Sequence, residues 1–230
     1  VEVEVKQGDD TKLVVRGSHE DLKRQPFFLK GGTLVLGRSA DRDTSFGRLR
    51  YKVTAVDLEQ LQLDGSGEVY VKPMRVEDLY VSVDGSGDVY LFEIEGRSLT
   101  VSLAGSGDIE AAVMRAEDVR LLLSGSGDIR IGELTAESIE TSVSGSGEVS
   151  VHDEGQASRV DINIAGSGDI DFEVVRASEC EVNIMGSGTV KIDATETLDV
   201  NTMGSGEVYY YSSPEVSQSV LGSGEVTRRK

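Results

Sequence analysis

Apolar residues recur along this chain in two short alternating runs, copy after copy. The first run follows a pair of glycines: Val69 and Val71, Val89 and Leu91, Ile109 and Ala111, Ile129 and Ile131, Val149 and Val151, Ile170 and Phe172, Val190 and Ile192. The second run precedes the next pair of glycines: Leu79, Val81 and Val83; Leu99, Val101 and Leu103; Val119, Leu121 and Leu123; Val160, Ile162 and Ile164; Cys180, Val182 and Ile184. Period-2 alternation assigns these residues to a buried face and their neighbours to solvent. Each copy therefore predicts two β-segments. Between them lies a variable corner that often ends in alanine, as at Ala116, Ala136, Ala157 and Ala177.

The glycine pair is the punctuation. Gly-Ser-Gly begins at Gly65, Gly85, Gly105, Gly125, Gly145, Gly166, Gly186, Gly204 and Gly222, in steps of 20, 20, 20, 20, 21, 20, 18 and 18 residues. A fixed period of this size marks a solenoid. It is too short for a βαβ unit, which needs ~30 residues. The expected fold is all-β: a right-handed parallel β-helix of about ten turns, counting a degenerate first copy at Ser45-Phe46-Gly47. In that copy Leu49 and Tyr51 take the slots of Val69 and Val71. Gly65 and Gly67, Gly85 and Gly87, Gly105 and Gly107, Gly125 and Gly127, and Gly145 and Gly147 are expected to turn the chain with positive φ, which a Cβ disfavours. The intervening serines should stack in a column, with hydroxyls bonded to the turn backbone or to one another.

Residues 1–44 do not repeat. Val1-Glu2-Val3-Glu4-Val5 alternates as a strand, and Phe27-Phe28-Leu29, Gly31-Gly32 and Leu34-Val35-Leu36 read as a hairpin. This segment is expected to form an antiparallel β cap over the first rung, with residues 45–230 as one continuous solenoid.

Charge narrows the partners. The formal net charge is −18, and residues 1–44 contribute eight acidic and eight basic residues, so the acidity belongs to the repeats. An acidic rod is a poor partner for nucleic acid or anionic membranes. No apolar run approaches the ~20 residues of a membrane span. The single cysteine, Cys180, excludes an intrachain disulfide and takes an inward slot, as a core residue does. The chain opens at Val1 with no signal-like segment, so a removed signal or anchor is expected upstream.

The strongest candidate chemistry is an acidic column: Glu68, Asp88, Asp108, Asp128, Glu148, Asp169, Glu207 and Glu225, broken by Thr189. Stacked at one rung, neighbouring charges repel by about 0.9 kcal/mol in water. Turn N–H groups are the simplest compensation. A ladder for Ca²⁺ or another hard cation, through Asp88, Asp108, Asp128 and Asp169, is the alternative. No cofactor is expected. Tyr70, Tyr90, Tyr209 and Tyr211 are candidates for surface contact. Arg75, Arg115 and Arg176 near Glu77, Glu117 and Glu179 read as surface ion pairs; a polysaccharide-acting enzyme would need clustered carboxylates and groove walls, and the corners are short. Neither His19 nor His152 suggests a catalytic pattern. Open solenoid ends invite self-association.

The Gly-Ser-Gly-Asp-Ile/Val copies, the stretch from Val119 to Ile129 and the preceding Gly32-Thr33-Leu34 resemble the bacterial family described as putative auto-transporter adhesin, head GIN domain. The resemblance implies an exported right-handed β-helix of the cell envelope, whether periplasmic, lipoprotein-anchored or secreted. The chain ends in Thr227-Arg228-Arg229-Lys230, without the strands of a translocator barrel. The function expected is a non-catalytic, adhesin-like scaffold that meets cell-surface glycan or protein. A glycan-degrading enzyme and a Ca²⁺-stabilised rod are the alternatives.

Overall fold

The computed structural model describes residues 1–39 and 45–230, and the expected cap boundary at residue 44 lies outside the described residues. The chain is a right-handed parallel β-solenoid. Its N-terminal elements are β1 (Glu2–Gln7), β2 (Lys12–Arg16), the short helix α1 (His19–Lys23), β3 (Phe27–Lys30) and β4 (Thr33–Leu36). Then come β5 (Arg50–Ala55), β6 (Gln60–Gly65), β7 (Glu68–Val71), β8 (Met74–Arg75) and β9 (Asp78–Gly85). From there each turn repeats the scheme of β7 to β9, and the corners straighten into continuous strands over Glu148–Gly166, Asp169–Gly186 and Thr189–Gly204.

Each turn has three faces rather than two. In the turn after Gly85, Val89 and Leu91 point inward from the first face, Ile94 from a short second face, and Leu99, Val101 and Leu103 from the third. The second face hides in the sequence because it contributes one inward residue, too few to show alternation. Met74, Ile94, Met114, Leu134 and Val175 form its buried column. Ala136, Ala157 and Ala177, expected in a corner, are buried where this face meets the third. The inward columns stack apolar side chains on one another except at Gly155, Thr141 and Thr202, so one apolar core runs the length of the rod. Two hydroxyls, of Thr141 and Thr202, are buried in it without a partner among the described residues.

The N-terminal segment departs from expectation in one respect. β2 lies antiparallel on β5, and β3 pairs antiparallel with β4, as a cap should. β1, however, is a rung. It runs parallel between β5 and β7, with Val3 opposite both Tyr51 and Val69, and Val5 opposite both Val53 and Val71. The first copy is therefore shifted: Tyr51 and Val53, not Leu49 and Tyr51, occupy the slots of Val69 and Val71. Side-chain pairing explains the register. Glu2 accepts from Arg50 at 2.9 Å and Glu4 from Lys52 at 3.0 Å, while the buried Tyr51 hydroxyl donates to the Pro26 carbonyl at 2.7 Å and accepts from Gly37 N–H at 3.1 Å. Eight complete three-faced turns follow, from Glu68 to Gly222, fewer than the ten expected because the first copy and the last strand are partial. The first face stacks β5, β1, β7 and their successors over about 48 Å at the usual strand spacing.

The two glycines of a corner have different jobs. Only the first has positive φ, from 91° at Gly65 to 138° at Gly105. The second is needed for close approach: a Cβ on Gly107, Gly127 or Gly147 would lie 2.0 Å from the carbonyl oxygen of the glycine one turn below. The expectation of positive φ at Gly67, Gly87, Gly107, Gly127 and Gly147 is thus corrected, with backbone stacking as the reason.

Candidate functional site

The outward side chains form columns one rung apart, and the acidic column is the most regular. The structure places Asp88, Asp108, Asp128 and Asp169 along one edge of the first face and gives each the same partner. Asp88 Oδ1 accepts from Asp108 N–H at 3.1 Å, Asp108 Oδ1 from Asp128 N–H at 3.1 Å, Asp128 Oδ1 from Glu148 N–H at 3.0 Å, and Asp169 Oδ1 from Thr189 N–H at 2.8 Å. The donor is the backbone of the next turn at the same column position, not the corner of the same turn. Arg130 adds ion pairs to Asp108, at 3.4 Å, and to Asp128.

The glutamates behave differently. Glu68 takes the Tyr70 hydroxyl at 3.1 Å, Glu207 the Tyr209 hydroxyl at 2.6 Å, and Glu225 the Thr227 hydroxyl at 2.8 Å. The extra methylene carries the carboxylate sideways to the residue two further on. Above Glu68, Glu148, Thr189 and Glu207 the next N–H donates instead to a glycine carbonyl, of Gly67, Gly147, Gly188 and Gly206. A cation on Asp88, Asp108, Asp128 or Asp169 would compete with an N–H for Oδ1. Among the described residues, no group of three His, Cys, Asp or Glu side chains is placed to hold a metal ion.

The corner serines are exposed, and none of their hydroxyls is hydrogen-bonded to protein among the described residues; their backbone N–H groups bond the glycine carbonyl below, as Ser86 does to Gly65 at 3.0 Å. The expected serine ladder is absent because the side chains point away from the stack.

The tyrosines are engaged with the protein itself. Tyr70 and Tyr90 stack face to face, 4.9 Å between ring centroids and 10° from parallel. The hydrogen bond to Glu68 raises the Tyr70 phenol above its ordinary pKa; burial, then the nearby Asp88, raises Tyr90. Arg229 lies 4.3 Å over the Tyr209 ring, and burial together with a hydrogen bond to Glu173 raises Tyr211. Tyr80, 40% exposed, instead lines an acidic surface depression of about 270 Å³ with Asp57, Glu59, Glu77 and Asp78.

Arg75 and Arg115 pair across turns with acids of the second face, not with Glu77 and Glu117, while Glu179 pairs with Arg159 and Arg176 makes no ion pair among the described residues. Arg75 meets Glu95 at 2.8 Å, and Arg115 meets Glu93 at 3.0 Å and Glu133 at 2.9 Å. These are exposed pairs that cost or stabilise little. Cys180 is buried, and burial pushes its thiol up to about 12. Ser150 Oγ lies 3.2 Å from His152 Nε2, a contact that the histidine spacing does not announce. Ser150 is 2% exposed, so a polymer substrate cannot reach that hydroxyl.

Asparagine in a strand reads only as small and polar, yet one such outward column bonds to itself. Asn163, Asn183 and Asn201 stack on the third face as an amide ladder. Asn183 Nδ2 donates to Asn163 Oδ1 at 3.2 Å and Asn201 Nδ2 to Asn183 Oδ1 at 3.1 Å. An Asn at three successive turns in one slot was the available signal.

The solenoid is shared with known structures. A crystal structure titled putative lipid binding protein from Parabacteroides distasonis is 28% identical, with a TM-score of 0.73, covering all of this chain and 89% of that one. A putative adhesin from the same species is 21% identical with a TM-score of 0.70, covering all of this chain and 89% of that one. One from Parabacteroides merdae is 19% identical with a TM-score of 0.74, covering all of this chain and 88% of that one. Curated proteins provide no match. The family model described as putative auto-transporter adhesin, head GIN domain, matches residues 1–154 and 150–214, and the chain belongs to that family.

Proposed function

We propose that this protein is a non-catalytic scaffold of the bacterial cell envelope that meets cell-surface glycan or protein through its outward columns. The family supports the adhesin-like reading. The observation that carries it is the asparagine ladder, in which three amides repeat in register along one face. Such a ladder offers the second lone pair of each C=O at a fixed repeat, the remaining Asn183 N–H being taken by Glu181 Oε1 at 3.2 Å, and this suits a polymer with repeating hydroxyl groups. Its worth lies in repetition, because each added contact is effectively intramolecular once the first has formed.

The test is binding of the intact protein to a panel of immobilised cell-surface glycans and proteins, beside an assay of the same glycans for reducing ends and unsaturated uronate. The expected result is retention on at least one surface, weakened when Asn163, Asn183 and Asn201 are all replaced by Asp, with no turnover. Release of product would contradict the non-catalytic reading, and retention indifferent to the triple replacement would contradict the ladder. Export to the envelope is part of the proposal and is checked by fractionating the native cells.

A further inference from the structure

We infer that the β3–β4 hairpin docks on a bilayer surface containing anionic phospholipid. Among the described residues it is a two-stranded sheet joined to no other strand. Opposed residues share a face, so Phe27, Leu29, Leu34 and Leu36 lie on one side and Phe28 and Val35 on the other. Nearly every strand position is therefore apolar. Leu29 is 75% exposed, Phe27 37% and Leu22, on the adjoining helix, 39%. Leu36, at the base of the hairpin, packs against the core, so the free apolar surface is that of Phe27 and Leu29 on the same side, with Leu22 of the helix.

The hairpin is held at its base and free at its tip. Gly37 N–H closes it on the Pro26 carbonyl at 2.9 Å, and the Tyr51 hydroxyl ties the same two groups to the first rung. At the tip, Gly31 and Gly32 have positive φ, and a Cβ on either would meet nothing within 4 Å.

Charge selects the partner. The chain as a whole is at −18, but residues 16–38 contain five basic residues, Arg16, Lys23, Arg24, Lys30 and Arg38, against Glu20 and Asp21. Asp21 is occupied by Arg24 at 2.5 Å, and Lys23 and Lys30 form no ion pair among the described residues. Lys30 follows Leu29 at the hairpin tip, on the Phe28 side, and Lys23 follows Leu22 on the helix; exposed leucines bordered by lysines in this way match an acyl boundary beneath anionic headgroups. The acidic columns do not prevent this contact. They begin at the first rungs and run along a rod of about 48 Å, whereas surface fields decay over about 8–10 Å at physiological salt. With the hairpin end toward the bilayer, most of the repelling charge lies beyond that range. The average charge thus hides a local reversal, and the inference is independent of the asparagine ladder.

The experiment is flotation of the full chain with vesicles of phosphatidylglycerol and phosphatidylcholine in equal parts, and with phosphatidylcholine alone. Leu29→Asp and the pair Lys23→Glu, Lys30→Glu are compared with the parent, with thermal melts to confirm that these exposed positions leave the fold intact. The expected result is flotation with the anionic vesicles only, reduced at least tenfold by either variant and by 0.5 M salt. No flotation of the parent, or flotation that Leu29→Asp leaves unchanged, overturns the inference. So does lipid-free self-association of the parent that Leu29→Asp abolishes without any flotation, which would assign the hairpin to a second copy.

Discussion

Corners above an aspartate and corners above a glutamate or threonine meet the same need with different acceptors. Above Asp88, Asp108, Asp128 and Asp169, the N–H of the next turn donates to the carboxylate below. Above Glu68, Glu148, Thr189 and Glu207, the same N–H donates to a glycine carbonyl at 2.8, 3.1, 3.0 and 3.2 Å. The backbone moves with the choice. In the aspartate corners a Cβ on the upper glycine would stand 2.0–2.2 Å from the lower glycine's oxygen; in the others it would stand 2.5–3.1 Å away. The acidic column is therefore two motifs in one slot. Aspartate is short enough to reach up to the next turn, while glutamate reaches across to a hydroxyl on its own strand. Thr189 does not interrupt the aspartate motif, because only the lower residue needs the carboxylate.

The largest test of this comparison uses the glycines. Gly127→Ala would drive a Cβ into the Gly107 carbonyl and should cost about 3 kcal/mol or more in chemical denaturation. Gly206→Ala meets the Gly188 oxygen only at 3.1 Å and the Ile184 Cγ2 methyl at 2.6 Å, a side-chain rather than a backbone contact, and should cost about 1–2 kcal/mol. Equal losses would break the distinction. Cys180 supplies an independent readout: with its thiol up to about 12, only on the order of one molecule in 10⁴ is thiolate at pH 8, so disulfide reagents should label it only through opening, faster in Gly127→Ala.

The aspartate itself comes next. Asp108→Ala removes the acceptor for Asp128 N–H and should cost about 1 kcal/mol, whereas Asp108→Asn keeps an oxygen in place and should fall within about 0.5 kcal/mol of the parent. Glu207→Ala, whose carboxylate serves only Tyr209 among the described residues, should also stay within about 0.5 kcal/mol. Thr141 sharpens the contrast from the other side. Its buried hydroxyl has no acceptor or donor among the described residues, so Thr141→Val should stabilise by about 1 kcal/mol.

The smallest effect is alkaline. Tyr70 donates to Glu68, and this bond raises its folded pKa above the unfolded value. Its contribution is full below the unfolded tyrosine pKa and is lost as pH rises through the folded one. Tyr70→Phe should therefore be less stable than the parent near neutrality, and the gap should close above pH ~10. A gap that is constant with pH would remove the bond from the account.

The period, the inward columns and the corners were legible in the sequence because each is stated many times over. Val89, Ile109 and Ile129 say the same thing at one spacing. What the sequence concealed was whatever is said once or without alternation. Ile94 and Met114 mark a face with a single inward residue per turn. β1 looks like any strand, and only its pairing with Arg50 and Lys52 reveals that it sits between β5 and β7. The difference between Asp88 and Glu68 was visible as letters, but it turns on one methylene of reach that becomes meaningful only when a second turn lies above. The amide ladder at Asn183 depended likewise on stacking.

The most direct measurement is the through-hydrogen-bond coupling of backbone amides by NMR on the isotope-labelled protein. The account predicts that Asp128 N–H couples to the side-chain carboxyl carbon of Asp108, and that Asp169 N–H couples to the backbone carbonyl of Gly147. Coupling of Asp128 to the Gly107 carbonyl instead would contradict it, because the aspartate and glutamate corners would then be one and the same.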